Sequence, residues 1–89
     1  MSFSQESLQQ IKKELDAVPD GGKSDFSIHL DTEEIRAHYY WSEGIEIRWQ
    51  NGRYICTQHL ERSTKTYEIP NEADAVEKFI RIARHAKAY

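Results

Sequence analysis

Apolar residues recur at helical spacing at both ends of the chain. The first stripe consists of Leu8, Ile11, Leu15 and Val18. Residues three and four apart share one face of a helix, so this stripe predicts an amphipathic helix that buries one side. Ser4 suits its N-cap and Pro19 ends it.

The second helical stripe follows Pro70. Its apolar members are Val76, Phe79, Ile80 and Ala83. Asn71 is a favourable N-cap, and Asp74 three residues later adds an acidic group to the first turn, where the helix dipole favours negative charge. The sequence therefore predicts a second amphipathic helix at the C-terminal end.

Between the two helices, apolar and polar residues alternate, which is typical of strands with one buried face. The alternation predicts strands at about 26–30, 35–41, 45–50, 54–60 and 66–69. Whether the last of these joins the sheet is left open. The Asn51-Gly52 pair is the strongest local signal, since it favours a two-residue type I′ hairpin turn. That turn pairs Trp49 with Tyr54.

Two further hairpins are predicted from loop length and from the matching of apolar residues. A three-residue loop at 42–44, ending in a glycine suited to positive φ, pairs Trp41 with Ile45, Tyr39 with Ile47 and His38 with Arg48. A four-residue loop at 62–65 pairs Leu60 with Tyr67 and His59 with Glu68. In every hairpin apolar residues then meet on one face, and a one-residue slip would destroy this agreement.

These elements predict a single α+β domain over residues 1–89. It is an antiparallel five-strand meander with the N-terminal and C-terminal helices packed on the face that carries Tyr39, Trp41 and Trp49. The apolar stripes of the two helices and the apolar face of the sheet must be buried against one another, which favours this arrangement. The opposite face is expected to stay open to water.

Length, charge and cysteine content narrow the class of protein and its expected location. The chain has 89 residues and a net charge of −3. The sequence has neither a secretion signal at its start nor an apolar run long enough to span a membrane, so we expect no membrane association. One cysteine, Cys56, allows no internal disulfide and favours a cytoplasmic location. Residues 14–46 hold nine acidic and two basic residues, an asymmetry that can steer a basic partner.

Catalytic, metal and cofactor sites are not expected. His29, His38 and His59 fall on the open face, but the predicted register separates His59 from His38 by two strands and by about 13 Å along the strand. Cys56 is expected to point inward, where a thiol is usually inert. The Gly21-Gly22 pair follows a helix rather than a strand, so it does not have the context of a phosphate-binding loop.

The remaining hypothesis is a non-catalytic protein-binding module, with a partner that the sequence does not identify. Its candidate contact residues are Asp31, Glu33, Glu34, Arg36, His38, Tyr40, Glu43, Arg48 and His59. The alternative is single-stranded nucleic-acid binding through Arg36, Tyr40 and Arg48. A small-ligand pocket beside Trp41 and Trp49, and a homodimer formed through the sheet face or the 26–30 edge, also stay open.

The C-terminal half resembles a known type of protein. The stretch from Ile45 through the Asn51-Gly52 turn to Pro70, followed by 71–79, is similar to the hairpin-then-helix ending of small bacterial immunity proteins of toxin systems. The resemblance covers about half of the chain. It implies a cytoplasmic, non-catalytic inhibitor whose acidic surface blocks a toxin, and it assigns no individual residue.

Overall fold

The chain runs from a helix through five strands to a second helix in the computed structural model, which describes residues 2–19, 26–40 and 43–88. The elements are α1 (Gln5–Asp16), β1 (Ser27–Leu30), β2 (Glu34–Tyr40), β3 (Glu43–Gln50), β4 (Arg53–His59), β5 (Thr64–Ile69) and α2 (Glu72–Ala88). The strands form one antiparallel sheet in chain order. The predicted α+β meander is confirmed, and β5 joins it.

Both helices begin at the predicted caps. The Ser4 hydroxyl oxygen accepts a hydrogen bond from the Ser7 backbone N–H at 3.1 Å. The Asn71 side-chain oxygen accepts one from the Asp74 N–H at 2.9 Å. These bonds satisfy amide groups that a helix start leaves without an intrahelical partner. Within the described residues, neither helix is long and apolar enough to cross a membrane.

The helices lie side by side and point in the same direction. At their N-terminal ends, the Glu72 carboxylate accepts hydrogen bonds from the Ser4 N–H and hydroxyl, both at 2.9 Å, and from the Ser7 hydroxyl. At their C-terminal ends, the Lys87 ammonium donates to the Leu15 carbonyl at 2.7 Å. A carboxylate at the positive ends and an ammonium at a negative end offset the cost of aligning two helix dipoles.

The central hairpin forms as predicted. Asn51 and Gly52 both have positive φ, 53° and 79°, as a type I′ turn requires. Trp49 pairs with Tyr54, and Ile47 pairs with Cys56. The turn chemistry therefore fixes this register.

The predicted register between β2 and β3 is wrong by four residues. Ile47 pairs with Ile35 rather than Tyr39, and Arg48 pairs with Glu34 rather than His38. Gly44 lies within β3 and not in a loop, and the ladder shifts between His38 and Tyr40, where β2 bulges. Ile45 pairs with Ala37 rather than with Trp41. Of the predicted loop at 42–44, Ser42 lies outside the described residues, as does Trp41.

The predicted register between β4 and β5 is also wrong by four residues. His59 pairs with Thr64 rather than Glu68, while Cys56 pairs with Tyr67. The strand starts at Thr64 because the turn closes earlier, with the Leu60 N–H donating to the Ser63 carbonyl at 2.8 Å. Thr64 and Lys65, which the pattern assigned to the loop, instead begin this exposed edge strand, while Arg62 and Ser63 stay in the turn.

The core lies between the helices and one face of the sheet. Residues with at most 1% exposure come from every layer and include Phe3, Ile11, Leu15, Ile35, Ala37, Ile45, Ile47, Cys56, Ala75, Phe79 and Ala83. Trp49 packs at the margin of this core, with its ring 4.9 Å from that of Tyr54. The expected assignment of both helices to the Tyr39 and Trp49 face is confirmed.

Candidate functional site on the open sheet face

The sheet face opposite the helices, called the open face below, carries the alternate residues of all five strands. Its members among the described side chains are Ser27, His29, Glu34, Arg36, His38, Glu46, Arg48, Gln50, Arg53, Ile55, Thr57, His59, Thr64, Thr66 and Glu68. Ile55 is the one large apolar side chain in this set. Within the described part of the chain, both helices pack on the other face of the sheet, so this is the face that can meet solvent or a partner.

Four charged residues at the middle of the open face form an alternating square, called the charge quartet: Glu34, Arg36, Glu46 and Arg48. Glu34 faces Arg48 across the ladder, and Arg36 faces Glu46. The Arg48 Nε lies 3.3 Å from a Glu46 oxygen and 3.6 Å from a Glu34 oxygen. Arg36 lies 4.0 Å from Glu34. The side chains of Glu34 and Glu46 are 22% exposed, whereas those of Arg36 and Arg48 are more than half exposed.

Two histidines and a glycine form a row across the open face, called the histidine row. Gly44 pairs with His38 of β2 on one side and with His59 of β4 on the other. The prediction that His59 lies far from His38 along the strand is therefore wrong, because it rested on the shifted β2–β3 register. His38 is exposed and His59 is half-buried.

Gly44 has a steric reason to be glycine. A Cβ at this position would lie 2.5 Å from the Ala37 carbonyl oxygen. Its φ is not in the left-handed region, since Gly52 is the glycine with positive φ among the described residues. The close approach of β2 at its bulge, rather than turn geometry, excludes a side chain here.

The acidic residues do not form one continuous rim around the open face. Asp31 belongs to the β1–β2 turn, where its carboxylate accepts the Glu33 N–H at 2.8 Å and lies 3.8 Å from His29. Glu33 is exposed in the same turn. Glu43 starts β3 at the other end of the sheet, on the side of Tyr39. Burial raises the pKa of Tyr39, and the Glu43 charge raises it further.

The sequence-predicted contact residues are therefore only partly brought together. Glu34, Arg36, His38, Arg48 and His59 share the open face. The side chain of Tyr40 lies outside the described residues, although its backbone pairs with Glu43 at the end of β2. Sequence reasoning did not select Glu46 or Gly44 as contact residues. Alternating charge along both strands signals the role of Glu46, but the square emerges only in the correct register.

A second polar cluster lies under α2, away from the open face. Cys56 is fully buried, and burial raises the pKa of its thiol. Tyr67 faces it across the ladder and donates to the Gln58 side-chain oxygen at 3.2 Å. The Lys78 ammonium lies 4.7 Å from the centre of the Tyr67 ring. A buried thiol with a raised pKa is a poor nucleophile at neutral pH, so this cluster serves packing.

The residues at 2–19, 26–40 and 43–88 contain no group of three or more His, Cys, Asp or Glu side chains placed to hold a metal ion. In comparisons with known proteins, the chain matches no protein-family model, no curated protein and no solved structure. The function therefore has to be argued from the geometry of the open face.

Proposed function

We propose that the chain is a non-catalytic protein-binding module whose open face docks a protein partner. The observation that carries this proposal is the charge quartet. Each arginine is already oriented by a glutamate of the neighbouring strand or of its own, so the alternating pattern is preorganised on a rigid sheet. A fixed pattern of both signs favours one complementary partner and disfavours surfaces that place like charges opposite it.

The same ion pairs disfavour the nucleic-acid alternative. Among the described side chains of the open face, three arginines (Arg36, Arg48, Arg53) stand with three glutamates (Glu34, Glu46, Glu68). Arg53 lies 2.8 Å from Glu68, and both other arginines contact a glutamate of the quartet. Phosphate binding relies on an excess of cations that releases counterions. A face without net formal charge has no such excess.

The resemblance to immunity proteins suggests a specific form of this role, the inhibition of a basic toxin in the cytoplasm. The acidic turn with Asp31 and Glu33 lies at one end of the sheet and extends the open face toward such a partner. A gene for a basic toxin beside the gene for this chain supports this form. If no toxin gene lies beside the gene for this chain, toxin inhibition loses its support. Protein binding through the open face can still be tested independently.

Photo-crosslinking tests the proposal at the level of the face. We place a photoreactive amino acid at Thr57, beside the charge quartet, and in a second variant at Glu77, which is exposed on α2. In cells of the native host, the Thr57 variant is expected to capture a defined protein that the Glu77 variant does not capture. Equal capture by both variants, or capture of nucleic acid by Thr57, contradicts the proposal.

A charge reversal gives the matched control for this experiment. Arg48→Glu places three acidic groups at the quartet and is expected to reduce capture by the Thr57 variant at least tenfold. Arg81→Glu makes the same charge change on the exposed side of α2 and should leave capture unchanged. If both reversals reduce capture equally, the partner responds to net charge rather than to the open face.

A further inference from the structure

We propose that β5 pairs antiparallel with β5 of a second copy of this chain, so that two sheets join into one continuous sheet. β5 (Thr64–Ile69) is an outer strand, and among the described residues no other strand lies beside its free edge. A free edge offers unpaired N–H and C=O groups to another extended strand. The proposal concerns the edge of the sheet rather than the open face, so it does not rest on the function proposed above.

The pairing with β4 shows which backbone groups of β5 point outward. The Leu60 N–H donates to the Ser63 carbonyl at 2.8 Å, and these two residues continue the β4–β5 ladder by one pair. Hydrogen-bonding direction alternates along an antiparallel strand, so every second residue from Ser63 onward also directs its backbone groups toward β4. The outward N–H and C=O groups therefore belong to the residues between them, Thr64, Thr66 and Glu68.

β5 lacks most of the features by which edge strands avoid pairing, such as bulges, prolines and short length. Its register with β4 is unbroken, and it contains no proline. It has six residues, whereas β1 at the opposite edge has four. Thr64 and Thr66 are exposed and β-branched, which favours the extended conformation that a new ladder needs. The charge of Lys65 is the remaining obstacle to pairing.

Two identical β5 strands can pair so that every outward group is used. A two-fold axis between adjacent antiparallel strands stands perpendicular to the sheet, so the two open faces lie on the same side and each residue meets one of its own face. With Thr66 opposite Thr66 of the second copy, Thr64 faces Glu68 on both sides of the axis. All the outward-pointing residues then bond in pairs, with about six backbone hydrogen bonds.

The neighbouring registers are less favourable. If the axis moves to Lys65, the two lysines stand opposite each other, and like charges in that position are destabilising. If the axis moves to Tyr67, Thr64 stands opposite Pro70, which has no N–H to donate. With the axis at Thr66, Lys65 instead faces the uncharged Tyr67 of the second copy. The sequence of β5 is therefore self-complementary in this register.

Sedimentation velocity of the full chain tests the association. We expect a weak, reversible dimer, because an edge contact buries less than the roughly 1,600 Å² of a standard interface. The Lys78 ammonium, 4.7 Å from the centre of the Tyr67 ring, lies on the same side as Lys65 of the second copy and weakens the contact further. The sedimentation coefficient should rise toward the dimer value between about 10 µM and about 1 mM protein. A chain that stays monomeric up to about 1 mM overturns the proposal.

A pair of charge substitutions locates the contact. Thr66→Lys puts a cation on each side of the axis and is expected to raise the dimer dissociation constant at least tenfold. Thr57→Lys is the matched control, since Thr57 pairs with Thr66 on the open face but belongs to the inner strand β4. Its dissociation constant should stay within twofold of the wild type, and circular dichroism verifies that each variant is folded. If Thr66→Lys has no effect, or Thr57→Lys an equal one, the dimer uses another surface and the proposal is overturned.

A mixture of two variants tests the register itself. ¹⁵N-labelled Thr66→Lys with unlabelled Thr66→Glu should form a heterodimer at least as tight as the wild-type dimer, because opposite charges then meet at the axis. The outward amide signals of Thr64 and Glu68 should shift more than those of Lys65 and Tyr67. If the mixture associates no better than either variant alone, Thr66 does not face Thr66 of the second copy, and the proposal is overturned.

Discussion

Glu72 joins the two helices at the scale of a single residue. It stands in the first turn of α2, yet its carboxylate accepts hydrogen bonds from the N-terminal turn of α1. The Ser4 N–H, followed by the Ser7 hydroxyl, lowers the pKa of Glu72 below its usual 4.5. One charge thereby satisfies orphan donors of one helix while it sits at the positive end of both.

We expect Glu72→Gln to lower the free energy of unfolding by about 1–2 kcal/mol, the size of a charge-assisted hydrogen bond at a helix start. The amide keeps the shape of the side chain but loses the charge. Urea denaturation at pH 7 measures the change. Glu77→Gln on the exposed side of α2 is the control and should stay within about 0.5 kcal/mol of the wild type. Equal effects of both substitutions would show that Glu72 acts only through overall charge.

The lowered pKa of Glu72 also predicts a pH dependence. Its folded pKa lies below the unfolded value, so the stabilisation is fully present above about pH 5 and is lost as pH falls through the folded pKa. The difference in unfolding free energy between the wild type and Glu72→Gln should therefore shrink on acidification below pH 4.5. Denaturation curves at pH 7, 5, 4 and 3 measure it. A difference that stays constant to pH 3 contradicts the hydrogen-bonded carboxylate.

The glycines at 44 and 52 are predicted to respond differently to substitution by alanine. Gly44→Ala creates a clash with the Ala37 carbonyl and should cost about 1–3 kcal/mol, as overpacking does. Gly52→Ala meets no atom within 4 Å but forces an L-residue to a φ of 79°, at a cost of about 1–2 kcal/mol. Backbone amide spectra distinguish the two, because Gly44→Ala should shift β2 signals and Gly52→Ala should not.

Lys87 connects α2 to α1 at the scale of the elements. Its ammonium caps the Leu15 carbonyl near the end of α1. We expect Lys87→Met, which keeps the apolar stem, to lower the free energy of unfolding by about 1 kcal/mol. Hydrogen exchange in the last turn of α1 should also become faster. Lys12→Met on the exposed side of α1 is the control. Unchanged exchange in Lys87→Met would contradict the cap.

The helices and strands follow from the sequence, while two of the hairpin registers do not. Caps such as Ser4 and Asn71 are local signals, and Asn51-Gly52 fixes its own turn because few residues tolerate two positive φ values. Side chains alternate with a period of two, so a shift of four residues keeps every apolar residue on the core face. Matching of apolar residues cannot detect such an error. It left Arg36, His38 and Arg48 on the correct face but in the wrong row.

The candidate site depends on the strand register, which the matching of apolar residues does not determine. Alternation alone places Arg36, His38 and Arg48 on the open face. Their neighbours depend on the register, so the charge quartet and the histidine row become visible only when Gly44 pairs with His38. The two residues between β2 and β3 in the sequence, Trp41 and Ser42, are not of the types that demand one turn geometry, and the bulge at the end of β2 has no signature in the sequence. These features explain why the sequence indicated the surface but not its pattern.

At the scale of the whole molecule, the chain divides into a sealed side and an open side. Cys56 lies at the centre of the sealed side with no exposed surface. A thiol reagent should therefore label the native protein at least a hundredfold more slowly than the denatured protein, and labelling should accelerate only through the unfolding transition. Labelling at the rate of a free thiol in native buffer would mean that α2 leaves the sheet without global unfolding.

The central claim of this account is the register that puts His38, Gly44 and His59 in one row, because the charge quartet follows from the same register. Backbone nuclear Overhauser effects measure that register directly. We predict cross-strand contacts from Gly44 to His38 and to His59, and from Arg48 to Glu34. Contacts from Arg48 to His38, with none between Gly44 and His38, would contradict it.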